Sequence, residues 1–368
     1  MLDASTLWWE QITGPARFVR HIVESLWDLK HVVLICPSDL PWRSQMRSAT
    51  EKMLLEWGAK SFICQIDCES QCPGCTDPGA FLTERFCARD DYRPTSGLTR
   101  AAFMQRFQVL GGRILWIKGI APAQVRPWYD LCRGYRVFDA LDGRIVLEVQ
   151  QEGAPGRAPA HIERLSFEDH ISNYDVLLLN SLLVSELELS SPWKQYIAAL
   201  CTALCGRDAE ASDRLLTHTD FRHDDPISAF IALRQNGRPP LSAASVQQEE
   251  ARLRACAMNA QIQAVYPIVE QERTRLVQKW HEPIQEALNK SGCLLRGYDG
   301  TPKVLENLEI GELHFMLNAY PPMLTLPDSV DCREIALLRK VRNKLAHRVL
   351  CSPDELNALF AYSSAQNS

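Results

Sequence analysis

Apolar residues follow two different rhythms along this chain. In the first half they come in short unbroken runs. In the last third they recur every three or four residues. The run His31-Val32-Val33-Leu34-Ile35-Cys36 is β-branched and uninterrupted, as expected for a strand buried on both faces of a parallel sheet. Residues 61–66, 112–117 and 144–149 read as further strands. A helical stretch over 7–29 places Phe18, Ile22, Leu26 and Leu29 on one face. A second helix follows the first run and extends to about residue 55. Strand, loop and helix in alternation predict an α/β domain with a mostly parallel sheet over residues 1–206. Helices expected near 172–179 and 193–204 would close that domain as a lid.

Residues 207–243 are polar and irregular and read as a linker. Thr217 to Asp225 holds two histidines and three acids, which reads as a solvated segment between domains, with a metal site as the alternative. Asn236-Gly237-Arg238-Pro239-Pro240 is a strong breaker and the expected boundary. From 244 to 368 the spacing is helical. Pro267 and Pro283 divide the first stretch into helices over about 245–265, 267–281 and 283–290. Others are expected over 304–319, over 332–347, and from Pro353 onward with Ser352 as N-cap. Short connections between them predict an all-α bundle.

With 46% hydrophobic and 23% charged residues, the chain can bury ordinary globular cores. A formal net charge of −5 excludes a generally basic nucleic-acid coat but not a local basic surface. Such a surface is concentrated in Arg333, Arg339, Lys340, Arg342, Lys344, His347 and Arg348. No apolar stretch reaches the roughly 18 residues of a membrane span. The first residues lack a basic-then-apolar leader pattern, so a cytoplasmic location is expected. In that compartment the thirteen cysteines are expected to be mostly reduced.

The segment Leu338-Arg339-Lys340-Val341-Arg342-Asn343-Lys344-Leu345-Ala346-His347 carries the most chemistry. Ile335, Leu338, Val341 and Leu345 would face a core. Arg342, Asn343 and His347 would share a neighbouring face. Histidine titrates near neutrality and can move a proton to or from a ribose oxygen. Arginine is always charged and can grip a scissile phosphate through two hydrogen bonds. This Arg-Asn-x3-His pattern, preceded by Glu309 to Leu317 and a Pro-rich break, resembles the signature of the HEPN superfamily of prokaryotic defence and toxin systems. The resemblance covers roughly the last 110 to 130 residues. It implies a helical bundle that forms a homodimer, with two motif helices composing one ribonuclease site. It assigns Arg342, His347 and Asn343 as catalytic, with Arg339, Lys340, Lys344 and Arg348 contacting RNA. Cleavage would need no cofactor, and a partner protein of the same defence system is expected. The alternative is a non-catalytic HEPN module that docks a partner.

The layout of the first half resembles a degenerate P-loop or AAA-type NTPase. The loop after the first strand, Pro37 to Trp42, has no Gly and no Lys, so the phosphate cradle of that family is missing. Lys118 stands where a metal-binding acid would be. The cluster Cys68, Cys72, Cys75 and Cys87 contains one C-x2-C turn and is a candidate structural zinc site. The same residues also read as a loop of reduced thiols or as a redox pair.

Overall fold

A computed structural model describes residues 3–87, 92–93, 97–235, 243–291, 295–296 and 300–366. The breaker at 236–240 lies outside the described residues. Two compact units are present. One comprises Met1–Leu179 with Arg207–Glu210, and the other Asn180–Gly206 with Ala211–Ser368.

The first unit is built on five strands: β1 (His31–Ile35), β2 (Phe62–Asp67), β3 (Arg113–Lys118), β4 (Arg144–Val149) and β5 (Ile162–Ser166). All neighbours pair parallel, in the order β2-β3-β4-β1-β5. The expected α/β class is therefore present. Central strands β1 and β4 are buried along their whole length, which explains their legible apolar runs. Edge strand β5 was not expected, because Glu163 and Arg164 interrupt its apolar pattern.

Helices of seven residues or more are numbered here. In the first unit these are α1 (Thr13–Trp27), α2 (Arg43–Glu56), α3 (Pro78–Phe86), α4 (Arg100–Arg106) and α5 (Pro122–Gly134). Helix α6 (Asn173–Ser185) follows. A core of Leu115, Ile117, Trp128, Tyr135, Ile145 and Leu147 lies against the sheet.

The second unit is helical: α7 (Ser191–Cys205), α8 (Ala209–His218), α9 (Pro226–Gln235), α10 (Ala243–Lys279), α11 (His281–Ser291), α12 (Ile310–Asn318), α13 (Ser329–Ala346) and α14 (Pro353–Gln366). Helix α10 packs along α7 and α13, α13 packs on α12 and α14, and α14 closes on α7.

Three expectations need correction. Helix α7 belongs to the second unit, not to the unit that carries the sheet. Its Trp193 and Tyr196 rings pack with Phe360 of α14, with centroids 5.0 and 6.1 Å away. The segment read as a linker contains α8 and α9, because Leu215, Phe221, Ile227 and Phe230 are buried among its charges. Helix α10 runs unbroken through Pro267. The hydrogen bond lost at Pro267 is offset by burial of Val265, Ile268 and Val269 around it. Pro283 sits in the first turn of α11, where its missing N–H leaves no bond unmade.

Candidate functional site

Helix α13 opens on Asp328, whose side chain accepts from the Val330 N–H at 2.8 Å. The expected apolar stripe is buried: Ile335, Leu338, Val341 and Leu345. Asp331 and Glu334 extend the same buried stripe. Burial pushes the Asp331 carboxyl up, but hydrogen bonds from Lys279, Tyr362 and Trp280 outweigh it and hold it below the usual range. Those donors lie 2.6, 2.8 and 2.6 Å away. Glu334 lacks such donors. Its Oε1 is buried without a partner, and burial together with the neighbouring Glu272 pushes its carboxyl up to about 8.

Arg342 and Asn343 are brought together near the C-terminal end of α13. The Arg342 guanidinium donates to Glu309 Oε2 at 2.8 Å and to Asn343 Oδ1 at 3.4 Å. Arg342 also lines a polar cleft of about 260 Å³ together with Tyr266, Glu270, Arg273 and Glu309. Arg273 is fixed there by Glu270 and by the Leu308 carbonyl, at 2.8 and 2.9 Å. The cleft thus holds two guanidinium groups, each facing a carboxylate.

His347 is placed differently from the expectation. It lies just past the helix as its C-cap, is exposed, and its side chain bonds neither Arg342 nor Asn343. The helix stops by a Schellman arrangement: Arg348 N–H bonds Leu345 O at 3.1 Å, and Val349 N–H bonds Lys344 O at 2.8 Å. Arg348 occupies the left-handed position with φ +57°, where glycine is usual. The imidazole is therefore exposed at the helix end, with no hydrogen-bond or ion-pair partner among the described residues.

Of the other cations expected on this surface, two are already engaged. Lys340 and Lys344 bind opposite oxygens of Glu355 at 2.9 and 2.7 Å. Burial opposes ionisation of Glu355, but the Lys344 bond, the Ser352 N–H and Lys340 bring its carboxyl down to about 2. Arg339 and Arg348 are exposed and make no ion pair among the described residues. His314 on α12 is half-buried, and burial, then the Arg339 charge, lower its pKa.

In the first unit Cys68, Cys72 and Cys75 cluster at the end of β2. The Cys72 N–H donates to the Cys68 carbonyl at 3.3 Å, and the Cys75 N–H to the Cys72 carbonyl at 3.2 Å. Burial, reinforced by the neighbouring thiols, raises the Cys68 and Cys75 thiols above their ordinary range. All three pack on the sheet core, as does Cys87 at the end of α3. As arranged, no group of three or more ligating side chains among the described residues is disposed to hold an ion. No described helix is long and apolar enough to cross a membrane.

No family model matches the chain, and no curated protein matches it. One solved structure matched is "Structure of Drosophila ORC bound to DNA", at 12% identity and a TM-score of 0.27, over 99% of this chain and 74% of that one. A likeness at that level carries no argument about what this protein does.

Several groups at this site were missed from sequence. Glu309 was read only as part of a helix, yet it pairs with Arg342. Arg273 comes from a distant helix and has no local signal. Asp331 and Glu334 had one: they fall at helical spacing on the apolar stripe of α13, where acids face the core.

Proposed function

We propose that the helical unit is an HEPN-type ribonuclease module that acts as a homodimer in a prokaryotic defence or toxin system. The observation that carries this reading is the pairing of Arg342 with Asn343 at a polar cleft, with His347 standing free just beyond it. In this account Arg342 leaves Glu309 and grips the scissile phosphate. The exchange is cheap, because the Arg342–Glu309 pair is well exposed and worth about 1 kcal/mol or less. His347 of one copy takes the proton from the ribose 2′-OH. The 2′-oxygen bonds to phosphorus, the bond to the 5′-oxygen breaks, and His347 of the second copy protonates that oxygen. The products would carry a cyclic phosphate and a free 5′-OH, and no metal takes part. Arg339 and Arg348 remain available for the RNA backbone, with Lys340 and Lys344 contributing if released from Glu355.

One observation favours a second reading, a non-catalytic HEPN module docking a partner of the same system. Arg342, Lys340 and Lys344 are all neutralised within the chain. The double substitution Arg342→Ala, His347→Ala separates the two. A nuclease loses formation of cyclic-phosphate ends while remaining a folded dimer. A docking module shows no such ends even as wild type, and keeps its partner.

The first unit is proposed as a scaffold or sensor with the layout of an NTPase but without its phosphate loop. Its all-parallel sheet supports that reading.

A further inference from the structure

Strand β1 sits between β4 and β5, yet the chain leaves β1 for the far edge at β2 and returns through β3 to β4. The segments after β1 and β4 therefore depart in opposite directions. In open parallel sheets this is where a ligand crevice forms, outside the carboxyl ends of the strands. A crevice of about 670 Å³ lies there, within the size range of small-molecule sites.

Its charges are mostly settled. Arg43 donates to Glu148 and to the carbonyls of Pro37 and Ser38. Glu148, on buried β4, also accepts from Trp116 Nε1 at 2.9 Å. Lys118 faces Asp67 at 3.4 Å. Arg47 is the exception. It lines the crevice, one turn beyond Arg43 on α2, and is only 7% exposed. Its Nε donates to the Arg43 carbonyl at 3.3 Å. Its two terminal nitrogens have no hydrogen-bond or ion-pair partner among the described residues. A guanidinium stays charged in a protein, so Arg47 presents an unpaired positive charge to the crevice.

We propose that this crevice binds a small molecule through one oxyanion group, a phosphate or a carboxylate, seated on Arg47. A planar fork of donors suits either group. The remaining pairs, Arg43–Glu148 and Lys118–Asp67, cancel, and exposed Glu69 lines the same crevice. A single anionic head is therefore favoured over a triphosphate. The site owes nothing to a phosphate loop and lies in a different unit from Arg342 and His347.

The test follows thermal unfolding of the full chain with sodium phosphate, sodium acetate or sodium tripolyphosphate, at ionic strength held constant with sodium chloride. Phosphate or acetate is expected to raise the wild-type Tm saturably, and whichever acts identifies the head group. Tripolyphosphate should bind no more tightly than phosphate. Arg47→Gln should weaken the effect at least tenfold, whereas Arg126→Gln, at an exposed arginine of α5, should leave it unchanged. An equal shift in Arg47→Gln, or no saturable shift in wild type with phosphate or acetate, overturns the proposal. Should Arg47→Gln fail to fold, hydrogen exchange on the wild type decides: the active anion must slow exchange in residues 43–50, and unchanged exchange there refutes the site.

Discussion

Replacing Glu334 by Gln should stabilise the protein at neutral pH, and the size of the gain follows from its surroundings. The side chain is 5% exposed, one oxygen has no partner, and Glu272 and Asp331 stand nearby with only Arg275 opposing them. The carboxyl therefore titrates at about 8 in the fold, against 4.5 as its ordinary value. Between those two pH values the unfolded chain is ionised while the folded chain keeps its proton. Folding then costs about 1.4 kcal/mol more for each unit that pH rises. At pH 7 this amounts to about 3 kcal/mol. Below pH 4.5 both states are protonated and the penalty disappears. Urea unfolding of wild type and Glu334→Gln at pH 4, 5, 6, 7 and 8 measures it. The two should coincide at pH 4 and diverge steadily, with the variant more stable by about 3 kcal/mol at pH 7. Parallel pH profiles, or a variant less stable than wild type at pH 7, would refute the reasoning.

Glu309→Gln removes the counter-ion of Arg342 and should tighten binding of single-stranded RNA by up to about fivefold, read by fluorescence anisotropy. Weaker binding would mean that Glu309 positions Arg342 and does not compete with RNA. Glu355→Gln should cost about 3 kcal/mol at pH 7, because a carboxyl held near 2 stabilises the fold above pH 4.5 and loses that contribution as pH falls toward 2. Denaturation at pH 7 and pH 2.5 should show the difference shrinking in acid. Arg348→Gly should raise stability by about 0.5–1 kcal/mol, since a left-handed backbone suits glycine; a lower Tm would show that the Arg348 side chain is doing more than closing the helix.

What could be read from the sequence was what burial writes into it. Strands β1, β3 and β4 lie inside the sheet, so each carries an apolar run, at 32–35, 114–117 and 145–147. The stripe Ile335, Leu338, Val341 and Leu345 identified the inner face of α13 for the same reason. What escaped depends on partners distant in sequence. Glu148 carries no local signal of its role, and only the fold supplies Arg43 and Trp116 to it. Strand β5 is held by backbone pairing to β1, and its charged side chains conceal that. Pro267 is tolerated because neighbouring helices bury its surroundings, which local rules cannot anticipate. At the candidate site, Arg342 and Asn343 were legible as neighbours on one helix. His347 was legible as a residue but not as a C-cap, because the helix ends one residue before it. Glu309, Arg273 and Glu355 set the electrostatics around the motif from other parts of the unit.

Incubation of purified protein with total RNA and with tRNA, wild type beside His347→Ala and with or without EDTA, tests the central claim most directly. The account predicts cleavage by wild type that persists in EDTA and vanishes in His347→Ala. Cleavage that survives in His347→Ala, or that EDTA abolishes, would contradict it.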